Sequence, residues 1–294
     1  MECFEELFAG YECLAITNGT LMLHALKNAG PRITGLQVGN GANLMAEVPY
    51  SGEKSHEFIP RGGQRLWHAP EDAVRTYVSD NQPVEFKVNS SSVMITQNIE
   101  KETCIQKSIE IELPDGQASA KVQYALQNHN LWPVTLAAWP ICQMRVGGFA
   151  ILPQSTRQSG LLPNRRLVIW PYTDIQSKNI SIANRYIFVQ ARYQDSQKGK
   201  LGWLNERGWM GYYLDRTLII KKAAFNPDAE YVDFGCSMEC YCDERFLEME
   251  TLSPLTTIQP GKTLFYHEEW IVVTDIDLSA NEDCIDEVIK DLKL

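Results

Sequence analysis

From Ser108 to Leu113 the chain alternates polar and apolar residues, breaks at Pro114-Asp115-Gly116, and resumes as Lys121-Val122-Gln123-Tyr124-Ala125-Leu126. A period of two sends successive side chains to opposite faces of an extended strand, so this run is a strand with one wet and one buried face. Pro-Asp-Gly supplies the turn that folds it back on the next strand. The same grammar recurs along the chain. Apolar runs at residues 13–17 and 20–26 flank Asn18-Gly19, a strong hairpin signal, and residues 33–38 follow a second turn. Residues 84–88, 92–97, 187–190, 209–214, 218–221, 231–234 and 264–273 read as further strands. Residues 135–142 are apolar on both faces, as a strand covered on both sides must be. A short apolar run from Leu167 ends in Trp170-Pro171-Tyr172. Only the C-terminal stretch reads as helix: Ser279 to Glu282 has the spacing of a capping box, and Ile285, Val288, Ile289 and Leu292 share a helical face. These patterns predict an all-β fold, a sandwich of two large sheets with a short C-terminal helix. No repeat, low-complexity tract or linker divides the 294 residues, so one domain is expected over 1–294.

Composition narrows the function classes. The apolar fraction of 44% and charged fraction of 22% are those of a globular protein with a sizeable core. A net charge of −10 argues against nucleic acid and anionic membrane surfaces as partners, because both attract basic patches. No apolar run has the length of a membrane span, and the acidic start Met1-Glu2-Cys3-Phe4-Glu5-Glu6 is unlike a secretory signal, so a cytoplasmic location is expected. The eight cysteines are too thinly spread for a disulfide scaffold. Cys236, Met238, Cys240 and Cys242 alternate with Phe234 on one predicted strand face, which reads as a buried sulfur-rich surface; zinc wants four ligands. No nucleophile elbow, phosphate-binding loop or dinucleotide fingerprint is present, and neither metal nor cofactor is expected.

Two stretches carry chemistry. Pro60 to Glu71 packs Arg61, Gly62, Gly63, Arg65, Trp67, His68 and Glu71 between two prolines, which predicts an irregular loop. Its indole, flanked by groups of both signs, suits a sugar ring; the alternative is a surface loop with a salt bridge. Farther on, Phe246, Glu248 and Glu250 share one strand face. Two carboxylates there either meet solvent or meet Arg and Lys in a cleft. Of the five histidines, His24 and His56 read as structural, His267 lies in the last strand beside Glu268 and Glu269, and His68 and His129 sit in irregular segments beside aromatics.

Together these segments resemble the galactose mutarotase-like superfamily, the aldose 1-epimerases and their relatives. Gly62-Gly63-Gln64-Arg65-Leu66-Trp67 with Ala69-Pro70-Glu71 is similar to a Gly-Gly-x-Arg-Leu-Trp-x-Ala-Pro-Glu segment of one branch. Trp132-Pro133-Val134, Ala138-Trp139, Gly147-Gly148, Leu152-Pro153 and the run from Leu167 to Tyr172 fit the same branch. Phe246-Leu247-Glu248-Met249-Glu250 resembles the Cys-Leu-Glu-x-Gln strand that supplies the family's base. The resemblance covers nearly the whole chain. It implies a β-supersandwich that binds a small-molecule carbohydrate and opens an aldose ring by acid/base chemistry, with Glu248 as base. The family's acid is a histidine in an Asn-His-x-Tyr-Phe setting. The nearest string is Asn128-His129, another alignment places Trp139 there, and the substitutes the resemblance suggests as acid are His68, the one taken here, and Arg65 acting on the ring oxygen. A cleft lined by Arg65, Trp67, Glu71, Trp170, Tyr172 and Lys200 is expected to bind the substrate, without metal or cofactor. The alternative is a carbohydrate-binding protein on the same fold that does not turn its ligand over. Oligomeric state is not legible in the sequence.

Overall fold

A computed structural model describes residues 1–49, 58–192, 198–292 and 294; His56 lies outside them. In chain order the strands are β1 (Glu2–Phe8), β2 (Tyr11–Thr17), β3 (Leu21–Leu26), β4 (Arg32–Val38), β5 (Gly63–Ala69), β6 (Glu85–Val88), β7 (Ser92–Thr96), β8 (Ile105–Glu112), β9 (Ser119–Asn128), β10 (Val134–Arg145) and β11 (Phe149–Pro153). They continue as β12 (Leu167–Ile169), β13 (Ile180–Ile182), β14 (Tyr186–Gln190), β15 (Gly199–Trp203), β16 (Trp209–Leu214), β17 (Thr217–Ala223), β18 (Met238–Cys242), β19 (Phe246–Thr251), β20 (Thr256–Ile258) and β21 (Thr263–Val273). The first sheet runs β1-β2-β3-β4-β5-β10-β19-β18-β15-β12, with β20 added on β10. The second runs β13-β14-β11-β16-β17-β21-β9-β8-β7-β6. Neighbours pair antiparallel, and the Asn18-Gly19 and Pro114-Asp115-Gly116 hairpins form as the sequence predicts.

The two sheets stack face to face over a core that takes alternate side chains from each strand, Leu66, Met249 and Leu247 from the first sheet and Tyr124, Leu126 and Trp270 from the second among them. A polar network crosses this core. Lys221 on β17 contacts Glu268 on β21 at 3.0 Å with both side chains fully buried, and its ammonium also donates to Gln64 on β5 at 3.0 Å. Glu268 further accepts from Tyr124 (2.6 Å), Trp270 (2.7 Å) and Thr251 on β19 (2.5 Å). Gln64 and Thr251 face inward, so their neighbours Arg65 and Glu250 face outward. The C-terminal helix Glu282–Ile289 buries Ile285 and Ile289 against Phe149, Tyr186, Phe188 and Trp209 of the second sheet. Its cap is Asn281, whose side chain accepts from the amides of Asp283 and Cys284, two residues beyond the expected Ser279.

Two expectations change. Residues 63–69 are not a loop but the central strand β5, buried throughout. The paired glycines open it rather than break it. Gly62 and Gly63 take φ of +83° and +69°, and a Cβ on Gly62 would sit 1.7 Å from the Ala46 carbonyl oxygen. Only glycine lets the strand enter beside that backbone. Residues 231–234 are not a strand: Asp233 and Phe234 adopt φ of 50° and 60°, in the left-handed region. That turn interrupts the period of two. Met238 and Cys240 face the core, Cys236 packs with Trp67 and Trp139 on the first sheet's other face, and Phe234 is exposed.

Glycine at position 62 should therefore be indispensable. Gly10, at the same φ of +83°, has open space where a Cβ would stand, with nothing within 4 Å, and serves as the control. Gly10→Ala is expected to cost about 1–2 kcal/mol, the left-handed penalty alone, and Gly62→Ala clearly more. Urea denaturation of both variants checks this, and equal losses would show that the close approach at Gly62 carries no weight.

Candidate functional site

The outward face of the first sheet is unusually rich in buried charge. β5 presents Arg65 and Trp67, β10 presents Trp139 and Gln143, β19 presents Glu248 and Glu250, β18 presents Glu239 and Tyr241, and β15 presents Lys200. Strand register sets them side by side: Trp67 lies opposite Trp139, Gln143 opposite Glu248, Glu248 opposite Tyr241, Glu250 opposite Glu239, and Tyr241 opposite Lys200. Directly opposed residues bring their side chains within reach of each other.

Glu248 is held at one oxygen. Arg65 Nη2 donates to its Oε1 at 3.0 Å and Gln143 Nε2 to the same atom at 2.8 Å. No described residue donates to Oε2, and the side chain keeps 11% of its surface exposed. The Arg65 guanidinium lies 4.2 Å above the Trp67 ring and 5.6 Å from Phe58, which fixes its plane by cation–π contact. Its Nη1 and Nε have no hydrogen-bond partner among the described residues.

Beside this pair sits a second one. The Lys200 ammonium is 2.7 Å from Glu239 and 2.9 Å from Glu250, and 4.8 Å from the rings of Trp139 and of Trp170. Trp139 Nε1 donates to Glu250 at 2.8 Å. Burial alone would depress the Lys200 pKa, but Glu250 and Glu239 outweigh it and hold it well above the usual value. Burial pushes the Glu239 carboxyl well up against the opposing pull of Lys200, and raises Glu250 as well. With Arg65 balancing Glu248, two carboxylates share one ammonium in a dry setting, which favours the protonated form of the Glu239 carboxyl.

The structure thus gathers Arg65, Trp67, Trp170, Lys200 and Glu248 on one face. Tyr172, half exposed, reaches its edge through an edge-on contact with Tyr241 at 6.4 Å between ring centres. Glu71 is exposed beyond the end of β5 and accepts from Tyr77 at 2.5 Å, and Tyr77 stands edge-on to Trp67. His68 is not part of this face. It alternates to the inner side of β5, 3.9 Å from Glu100, and is 1% exposed. Burial, reinforced by Lys107, pushes its pKa down to about 3, so it is neutral at physiological pH and has no proton to give as an imidazolium. His129 ends up near Gln106 at the end of β9 in the other sheet, His24 pairs with Glu6, and His267 with Gln123. Nor is the face an open cleft: Arg65, Trp67, Lys200 and Glu248 are each at least nine-tenths buried, and what reaches the surface is the Glu248 edge and the aromatic rim of Trp170, Tyr172 and Tyr241. Gln143, Glu239, Tyr241 and the pairing of Glu250 emerge only from strand register. Among the described residues no group of His, Cys, Asp and Glu is placed to hold a metal, and no helix is long and apolar enough to cross a membrane.

The Lys200 network makes a stability prediction. Lys200→Met strands two buried carboxylates and should destabilise by about 3–5 kcal/mol, whereas Glu239→Gln keeps shape without charge and should be near neutral. Because the Glu239 pKa is raised in the folded state, its share of stability is full below the ordinary value of 4.5 and is lost as pH rises from there toward the raised folded value. Glu239→Gln should flatten that part of the stability–pH curve; an unchanged slope in denaturation across this range contradicts the assignment of the proton.

No protein-family model and no curated protein matches the sequence. Solved structures match its shape. A galactose mutarotase-like protein from Lactobacillus casei superposes with a TM-score of 0.59 at 14% identity, over 89% of this chain and 100% of that one. A candidate mutarotase from Salmonella typhimurium gives 0.62 at 8% identity, over 93% and 94%. A TPR-domain containing protein from Parabacteroides distasonis gives 0.61 at 13% identity over 92% of this chain, which spans 49% of that protein's length. At these identities the likeness is one of architecture, and it agrees with the two-sheet topology and the short terminal helix: the chain has the galactose mutarotase-like β-sandwich fold.

Proposed function

We propose that the chain binds a carbohydrate on the outward face of its first sheet and interconverts the anomers of an aldose there. One observation carries this reading: Glu248 is clamped at Oε1 by Arg65 and Gln143 while Oε2 is left without a donor at the edge of an aromatic rim. Ring opening needs a base to take the proton of the anomeric hydroxyl and an acid to protonate the ring oxygen. Glu248 Oε2 is the base. The residue directly across the strand pair from Glu248 is Tyr241, whose hydroxyl donates to Asp243 and takes the acid's role in place of His68. Burial raises the Tyr241 pKa, so the phenol carries its proton at neutral pH, and its oxygen lies 3.2 Å from Asp243. Trp170 and Tyr172 offer the apolar ring face on which a sugar stacks, and the exposed Glu71 supplies an acceptor for its hydroxyls.

A second reading is a carbohydrate-binding protein without turnover. It is favoured by one specific observation, the position of His68 on the opposite side of β5 and its low pKa, which leaves the site without an imidazole among the described residues.

Anomer interconversion followed by polarimetry or NMR over a panel of aldoses separates the two. The enzyme reading expects a rate above solvent background with a sugar that binds. Glu248→Gln should then lower kcat by roughly 10²–10⁴ and Tyr241→Phe by a similar factor, with KM within a few-fold. A bound sugar with no rate above background leaves the binding reading; an undiminished rate in Glu248→Gln removes that residue from the chemistry.

A further inference from the structure

The first sheet ends in two uncovered edges of opposite character. Among the described residues no strand pairs with the outer side of β1 at one end or of β12 at the other. The β1 edge is acidic. Glu2, Glu5, Glu6 and Glu12 all precede the first basic residue of the chain, Lys27, which pairs with Glu5 at 2.7 Å. Phe4 and Leu7 stand exposed among these carboxylates. The β12 edge is basic. In a chain of net charge −10, no Asp or Glu occurs from Gly116 to Thr173, and Arg157, Arg165 and Arg166 lie in the loop that leads into β12. Arg157 pairs with Glu206 at 3.3 Å, while Arg165 and Arg166 are exposed. Hydrogen bonds brace the loop: Asn164 donates to the Arg157 carbonyl at 2.7 Å, Arg165 to that of Ser155 at 3.3 Å and Arg166 to that of Phe234 at 2.8 Å. Its tip carries the exposed pair Leu161 and Leu162, and Ile169 of β12 is exposed as well.

Strand direction decides how such edges can meet. Ten strands lie in line from β1 to β12 and each is antiparallel to the next, so β1 and β12 run in opposite directions. A second copy placed beyond β12 in the same orientation therefore offers its β1 antiparallel to β12, and the alternation of the sheet continues unbroken. The backbone amide of Trp170 donates to the Lys200 carbonyl at 3.4 Å, on the β15 side. Backbone groups of a strand alternate in direction, so Val168 also turns toward β15 while Leu167 and Ile169 turn to the free edge. Symmetric contacts are opposed by charge: β1 against β1 sets glutamates together, β12 against β12 sets arginines together, and like charges facing across a strand pair destabilise it. Only β1 against β12 joins opposite signs.

We propose that copies of this chain associate head to tail, β12 of one against β1 of the next. Arg165 and Arg166 face the carboxylates of β1, and Leu161, Leu162 and Ile169 meet Phe4 and Leu7. The contact is heterologous, so it propagates into rings or open filaments and does not stop at a dimer. The three residues of β12 keep the shared ladder short, which makes the assembly concentration-dependent.

Sedimentation velocity of the whole chain over a hundredfold range of concentration in low salt tests it. The mass is expected to rise with concentration past that of a dimer, and molar salt should raise the concentration of half-association at least tenfold by screening the edges. Arg165→Glu with Arg166→Glu, and separately Glu2→Arg with Glu5→Arg, should each leave monomers, because both ends then carry one sign. An equimolar mixture of the two variants should associate again, since each β12 then meets a β1 of opposite sign. Ile169→Pro keeps every charge and removes only an edge-facing amide, at a place where an edge strand tolerates proline, and should also leave monomers. A wild-type chain that stays monomeric over the whole range leaves these edges to a different partner and overturns the assembly. Association that survives either charge reversal or Ile169→Pro, or a mixture of the reversed variants that stays monomeric, overturns it too.

Discussion

The ion pair between Lys221 and Glu268 is the contact on which the rest of this molecule depends. Two fully buried charges inside a β-sandwich are tolerated only when their remaining hydrogen-bonding capacity is met, and here Gln64, Tyr124, Thr251 and Trp270 meet it. The partners come from both sheets, so the network fixes their relative placement as well as their separation. Its reach is wider than the core. Gln64 and Thr251 belong to β5 and β19, and the alternation of a strand converts each inward bond into a constraint on the outward neighbour. Arg65 and Glu250 are aimed at the site because Gln64 and Thr251 are anchored behind it.

On the outward face the governing constraint is charge in a setting of low dielectric. Arg65 with Glu248 balances, and Lys200 with Glu239 and Glu250 does not. The surplus pushes the Glu239 carboxyl toward its protonated form, and the aromatic rings of Trp139 and Trp170 flank the ammonium. The outcome is a rigid, nearly dry setting for Glu248, in which Oε1 accepts from Arg65 and Gln143 and Oε2 accepts from no described residue. Preorganisation of this kind removes the cost of reorienting groups when a ligand arrives.

The fold class was legible because period-two alternation and turn chemistry are local signals. The Asn18-Gly19 and Pro114-Asp115-Gly116 hairpins, the doubly covered β10 and the terminal helix all follow from residues within a few positions of one another. The loop assignment for residues 60–71 failed for the opposite reason. Gly62 and Gly63 punctuate the sequence like a turn, yet they are there to let β5 pass the backbone of Ala46 and Ile33, a contact between segments distant in sequence. Asp233 and Phe234 misled in the converse way, since neither residue type announces a left-handed turn. For the site, side-chain parity was readable where a strand was recognised, which placed Glu248 with Glu250 but not Arg65 with Trp67. The same parity, applied to β5 once it is known to be a strand, turns His68 away from them. Which strands lie beside β19 is set by register across the sheet, so Gln143, Glu239 and Tyr241 had no signal in the sequence by which to be found.

The central claim, that the Arg65–Glu248 face receives a sugar, is tested most directly by a crystal structure of the chain soaked with an aldose. The account predicts the ring against Trp170 and Tyr172, with the anomeric hydroxyl within hydrogen-bond reach of Glu248 Oε2 and the ring oxygen within reach of the Tyr241 hydroxyl. A sugar bound elsewhere, with this face empty at a concentration that saturates binding in solution, would contradict it.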